Sequence, residues 1–150
     1  MPIEGLKIKK VISHHDNRGF FAELIKFGEE TFHEIKQTSY AETKPGIIKA
    51  FHIHDYWESW CIVKGSAKIV LADIREKSPT KGEKEVIYVN GKDLLVIAIP
   101  PNVAHGYEAL GNESMGIIYY SAEAYNPDRP VIETIPYDSP LVGFNWEKKQ

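Results

Sequence analysis

The sequence predicts an all-β sandwich or barrel. Helical periodicity is scarce along the chain. Short β-rich runs dominate instead, and Gly, Pro, Asn and Asp divide them at close, regular spacing. About ten such strands at this spacing exclude a βαβ sheet. The expected strands are Leu6–Ile12, Phe20–Phe27, Ile35–Tyr40, Ile47–His52, Ser59–Val63, Ala67–Ile74, Glu85–Val89, Leu94–Ile99, Gly106–Leu110 and Met115–Ser121. Turns are expected at Asp16–Gly19, Lys44–Gly46, Lys64-Gly65, Ser78–Gly82, Asn90-Gly91, Pro100–Asn102 and Gly111-Asn112. Asn90-Gly91 between apolar runs reads as a hairpin. A short helical turn is expected around Gly28–Phe32. From Asn126 onward four prolines impose irregular coil. Ile135, Tyr137, Leu141, Phe144 and Trp146 imply that this coil packs on the barrel, with a short helix after Pro127.

The 150 residues suit one domain, 1–150, with a substantial core. A hydrophobic share of 43% and a charged share of 26% are those of a soluble globular protein. The net charge of −3 gives no general attraction to nucleic acid or anionic membrane. No apolar stretch reaches the roughly 18 residues of a membrane span. No basic-then-apolar leader opens the chain. The single cysteine, Cys61, sits in an apolar run and reads as a buried thiol in a reducing compartment. Cytoplasmic and soluble is the expectation.

The chemistry concentrates between Gly46 and Gly65. His52 and His54 are two apart, so on a strand they share a face. Glu58 returns toward that face if the chain turns near Asp55, and His105 offers a third imidazole after Pro100-Pro-Asn102. This set suits either metal binding or acid–base work. His52 serves only one of the two, because a ligating nitrogen has no lone pair left for a proton. His14, His15 and His33 lie near turns and read as solvated surface. Trp60 is expected in the core, and Trp57 as a wall of a sugar or base pocket. Asp73 and Arg75 read equally as an ion pair or as site residues. Lys7–Lys10 reads as edge protection. No dinucleotide fingerprint, P-loop or nucleophile elbow is present.

Gly46, His52, His54, Glu58 and Gly65 fit the first cupin signature, Gly-x5-His-x-His-x3-Glu-x6-Gly. Pro100-x-Asn102-x2-His105 resembles the second, with Asn in place of its Gly. This implies a cupin-type double-stranded β-helix, a jelly roll. A longer resemblance spans nearly the whole chain. Asp16-x-Arg18-Gly19-x-Phe21-x-Glu23, Ala72-Asp73-x-Arg75, Ser78-Pro-Thr80-x-Gly82 and Ile99-Pro100-x3-Ala104-His105-Gly106 are similar to motifs of the dTDP-4-dehydrorhamnose 3,5-epimerase family. So are Tyr119-x5-Tyr125-Asn-Pro127 and the closing Asp138, Pro140, Gly143 and Trp146.

The resemblance implies an isomerase that exchanges protons beside the C4 ketone of a nucleotide-linked 6-deoxy sugar, as a 3- and/or 5-epimerase without a cofactor. It implies His52 as base, Asp138 as its orienting carboxylate and Tyr119 as the acid on the opposite face, with Tyr125 as a substitute. Arg18, Phe21 and Glu23 are implied to meet the nucleotide across a homodimer interface, and Lys49 the diphosphate. His54, Glu58, His105 and Tyr125 complete the substrate site. Glu58 stands where the family has a lysine that supports the enolate, and a carboxylate there repels one. The alternatives are a 3,4-ketoisomerase, whose paired His-x-His moves protons between C3 and C4; a cupin holding a divalent transition metal on His52, His54, Glu58 and His105; and a non-catalytic sugar-nucleotide-binding cupin. Surface polysaccharide or antibiotic sugar synthesis is the implied setting.

Overall fold

The structure is a computed structural model that describes residues 2–128 and 132–147. Among these described residues twelve strands are formed: β1 (Lys7–Lys10), β2 (Ser13–Asp16), β3 (Gly19–Ala22), β4 (Gln37–Thr43), β5 (Ile48–His54), β6 (Glu58–Lys64), β7 (Ser66–Ala72), β8 (Lys84–Asn90), β9 (Leu95–Ile99), β10 (Ala104–Leu110), β11 (Met115–Ser121) and β12 (Ile132–Thr134). Two five-stranded sheets face each other, ordered β1-β9-β6-β11-β4 and β12-β5-β10-β7-β8. Pairing is antiparallel throughout. From β4 to β11 the chain alternates between the sheets, staying in one only for the β7–β8 hairpin. The spacing of the runs predicts a sandwich or barrel, and this one is the jelly roll that the cupin resemblance implies.

Strand alternation sorts the side chains into layers. Trp60 and Ile62 of β6, with Ile69 and Leu71 of β7, meet Ile97 and Ile117 between the sheets. Each such buried side chain contributes roughly 1.5–3 kcal/mol. The outer faces are covered as well, which explains why the strands read as unbroken apolar runs. Cys61, Val63 and Val96 lie under Ala22, Leu24 and Ile25. Phe51, Ile53, Val70 and Ala72 lie under Val142, Phe144 and Trp146 of the C-terminal segment. That segment is packed, as its aromatics require. Trp146 Nε1–H donates to the Tyr137 carbonyl, and buried Lys68 donates to the carbonyl of Trp146 at 2.7 Å. Tyr137 and Leu141 nevertheless face solvent.

Two expectations are corrected, and a third cannot be placed. The segment Gly28–Phe32 forms turns, and no helix occurs among the described residues. The helix expected after Pro127 would fall largely on residues 129–131, outside the described residues. Asn90-Gly91 is a corner rather than a hairpin: β8 pairs with β7, while β9 pairs with β6 and β1. The Asn90 carboxamide oxygen accepts from the amides of Lys92 and Asp93, which steers the chain across to the other sheet. Two strands were unexpected. β2 pairs with β3 in a separate hairpin, and β12 pairs with β5.

Candidate active site

A cavity of about 380 Å3 opens between the sheets. One wall is β5 and β10, which present Lys49, His52, His54, His105 and Tyr107. The opposing wall is β6 and β11, with Glu58, Trp60, Ile117, Tyr119 and Ser121. Gln37, Ala41, Tyr56, Glu123 and Tyr125 complete the lining.

Register places the imidazoles. His52 lies directly opposite His105 across the β5–β10 pair, and their rings are 6.4 Å apart. His54, two residues on, meets the edge of the His105 ring at 4.8 Å and stacks on Tyr56. Lys49 shares their wall because β5 carries an extra residue: Tyr107 pairs with Lys49 and His105 with His52. Gly106 makes this bulge possible. A Cβ there would lie 2.3 Å from that of Ala50 and 2.8 Å from the Lys49 carbonyl. Asn102, the departure from the second cupin signature, has φ of +66°. This is the left-handed region that Asn tolerates best after Gly, so the turn shape survives. Its amide donates to the His54 carbonyl at 2.6 Å.

Glu58 is buried. Its Oε1 accepts from Trp60 Nε1 at 2.8 Å, and its Oε2 accepts from the Ser121 hydroxyl at 3.0 Å. The Oε2 atom lies 3.5 Å from His54 Nδ1. Burial raises its pKa and outweighs the two donors. Burial lowers His54 to about 4 and His105 to about 3, so both rings are neutral at physiological pH. His52 is half-buried. Burial, and then His54, lower its pKa below 6.5 against the opposing pull of Glu58, leaving a neutral imidazole able to accept a proton.

The structure thus brings together His52, His54, Glu58, His105, Lys49, Tyr119 and Tyr125. It does not bring Asp138 to them. Asp138 is exposed in a turn after Pro136 and makes no hydrogen bond to His52, whose register partner on β12 is Thr134. The chain leaves that edge strand through Pro136 toward the outer face, which carries Asp138 away from the cavity. Arg18, Phe21 and Glu23 also lie off the cavity, exposed on or just after the β2–β3 hairpin.

Asp73 and Arg75 are structural. Buried Asp73 accepts from Arg75 Nε at 2.9 Å and from the hydroxyls of Ser78 and Thr80. Trp57 does not wall the cavity; it stacks on His33 at 3.6 Å, which half-buries that ring instead of leaving it at the surface. His14 and His15 are exposed. The contributions of Trp60 and Ser121 were missed, although strand alternation from Glu58 and Tyr119 points to them.

A jelly roll whose strand pairs deliver imidazoles, a carboxylate and tyrosines to one cavity defines a cupin-type protein. Within that class, the chain belongs to the dTDP-4-dehydrorhamnose 3,5-epimerase family, whose model matches residues 1–150. It is 44% identical over 145 residues to the spore coat polysaccharide biosynthesis protein SpsL of Bacillus subtilis, covering 96% of each chain. It is 30% identical over 142 residues to a dTDP-4-dehydrorhamnose 3,5-epimerase of Mycobacterium tuberculosis, covering 89% of this chain and 69% of that one. The fold matches that of a Legionella pneumophila 3,5-epimerase solved in complex with dTDP-4-keto-L-rhamnose. The TM-score is 0.86 at 23% identity, over 97% of this chain and 80% of that one.

Proposed function

We propose that the protein epimerises a nucleotide-linked 4-keto-6-deoxy sugar at C3, C5 or both. One observation carries the reading: His52 and Tyr119 line the same cavity from opposing sheets. Inversion at a carbon beside a ketone needs a base on one face of the sugar and an acid on the other, and the two walls supply them. Neutral His52 removes the proton, the ketone oxygen takes up the charge as an enolate, and the Tyr119 hydroxyl returns a proton from the far side. Tyr125, exposed at the cavity, is a further phenol of the lining. Lys49 meets the diphosphate as a point charge.

The nucleotide end draws on Arg18, Phe21 and Glu23. Their hairpin stands apart from both main sheets, with Phe20 57% and Phe21 63% exposed. Exposed aromatics beside an arginine suit a base and a phosphate, and a homodimer would carry this hairpin to a partner's cavity. Buried Cys61 fits a cytoplasmic setting.

The test is incubation with dTDP-4-keto-6-deoxyglucose in deuterated water. Deuterium should enter at C3 or C5 and should fail to enter with His52→Asn. Absence of exchange, with this and with other nucleotide carriers, overturns the reading. NMR of the product separates an epimerised sugar from one whose ketone has moved.

A further inference from the structure

The geometry points to a divalent transition-metal site built by His54, Glu58 and His105, with His52 outside it as a free base. One nitrogen or carboxylate oxygen from each of the three lies within 4.8 Å of the others, and all three residues are buried. Two of the donor atoms have nothing else to do. His54 Nδ1 and His105 Nε2 are buried and lack any hydrogen-bond partner among the described residues. Groups of that kind are normally satisfied, and each calls for an explanation.

The tautomer is settled by the backbone. His105 Nδ1 lies 2.9 Å from the Val103 carbonyl, which only accepts, so Nδ1 carries the proton. The lone pair is therefore on Nε2. An imidazole held by a carbonyl on one nitrogen and bare on the other is the usual form of a metal-ligating histidine. Glu58 is held in the same way. Trp60 and Ser121 donate to its two oxygens and fix the carboxylate, while among the described residues no lysine or arginine pairs with it.

The separations suit a transition metal. Bonds of roughly 2.0–2.2 Å set neighbouring ligand atoms about 3–3.6 Å apart. The His54 Nδ1–Glu58 Oε2 distance of 3.5 Å already meets that spacing. Two imidazoles and one carboxylate match Zn2+, Fe2+, Mn2+ or Ni2+ rather than the all-oxygen sites of Mg2+ and Ca2+. The metal's remaining positions would face the cavity.

A four-ligand set including His52 would consume the base; this three-ligand set does not. The use of the ion rests on the epimerase reading, although its binding does not. Among the described residues Lys49 is the only lysine or arginine that lines the cavity, and it is exposed, while Glu58 and Glu123 are both acidic. Proton removal beside a ketone needs positive charge at the developing enolate, and a bound cation supplies it as a Lewis acid.

The experiment uses the full chain without an affinity tag, stripped with chelator and titrated with Co2+ and Zn2+. Bound metal is read by elemental analysis, and the Co2+ form also by its visible d–d bands. Wild type should take up about one equivalent. His54→Asn and Glu58→Gln should each bind at least about tenfold more weakly. His52→Asn should keep the full equivalent. Binding below roughly a tenth of an equivalent by wild type overturns the site, as expected for a water-bridged polar cluster. Loss of metal in His52→Asn overturns the three-ligand assignment. Thermal melts check that the variants fold, and wild-type stoichiometry decides should one fail. Deuterium exchange on the same samples keeps the two readings apart: metal bound without exchange upholds the site and overturns the epimerase, whereas exchange untouched in metal-free protein upholds the epimerase and overturns the ion's Lewis-acid role, the site itself standing or falling on stoichiometry.

Discussion

Two buried carboxylates in this jelly roll have opposite surroundings. Asp73 is given a cation and a full set of donors: Arg75 through Nε and Nη2, the Ser78 and Thr80 hydroxyls, and the Arg75 amide. Burial pushes its pKa up, but these bonds outweigh it and hold Asp73 well below the ordinary carboxylate range. Glu58 has two neutral donors and, among the described residues, no lysine or arginine, and burial leaves it raised. A carboxylate that only holds the fold together is fully compensated. One left partly uncompensated beside unpartnered imidazoles is kept for something that arrives later. The residues of the family motifs and the cupin signature divide along the same line: Asp73, Arg75, Ser78 and Thr80 build a corner, and His52, Glu58, His105 and Tyr119 build a cavity.

The largest effect should come from the cavity. His52→Asn is expected to cut deuterium exchange by roughly 10^2–10^4-fold. Its melting temperature should barely move, because His52 is half-buried and its ring makes no hydrogen bond among the described residues. A variant that lost stability and activity together would erase the distinction between the two regions.

Asp73→Ala should invert that pattern. It strips a buried ion pair and leaves the Ser78 and Thr80 hydroxyls without their acceptor, a loss of about 3–5 kcal/mol, while exchange per folded molecule persists. The pH dependence carries a definite sign. A carboxylate whose folded pKa is depressed contributes stability above its unfolded value of 3.8, and that stability drains away as pH falls toward the folded value. Urea melts from pH 5 downward should therefore show a steeper loss in wild type than in Asp73→Asn; parallel curves would remove the cage from the stability argument.

Glu58→Gln sharpens the contrast because its sign is opposite. Folded Glu58 holds its proton to higher pH than the unfolded chain, so its ionised form weakens the fold as pH rises through and above 4.5. In metal-free protein at pH 7, Glu58→Gln should be between unchanged and ~1 kcal/mol more stable. The amide oxygen keeps the Trp60 donor, and the Ser121 hydroxyl turns to accept. A loss comparable to that of Asp73→Ala would mean that Glu58 is a structural residue like any other.

The fold was legible because runs, turns and register agree. The shared face of His52 and His54 follows from alternation, the packed C-terminal segment from its aromatics, and the jelly roll from the family resemblance laid over short, turn-divided strands. What the sequence does not reveal sits where alternation breaks or long-range geometry decides. Asn90-Gly91 has hairpin chemistry but turns the chain between sheets. Lys49 reaches the cavity wall through a bulge that exists because Gly106 lacks a side chain. The three-residue strand β12 lies in a proline-rich stretch and forms by adding to the free edge of β5. Within the site, Glu58 was correctly placed near the histidines. That it joins His54 and His105 but leaves His52 out depends on ring orientations no spacing encodes.

Asp138 gives the smallest expected effect. A carboxylate that orients a catalytic imidazole must sit within hydrogen-bond reach of it, holding the ring's tautomer and supporting the imidazolium. Asp138 is solvent-exposed in a turn, and Thr134 holds the place opposite His52. Asp138→Asn should therefore leave kcat for exchange within about threefold of wild type. The acid limb of kcat/KM should stay where His52 sets it, below pH 6.5, because burial and His54 depress its pKa without help from this carboxylate. A loss of a hundredfold or more with the stability unchanged would place Asp138 against His52 during turnover. The C-terminal turn would then have to swing inward when substrate binds, joining the region that now only covers the outer face of the sheet to the one that does the chemistry.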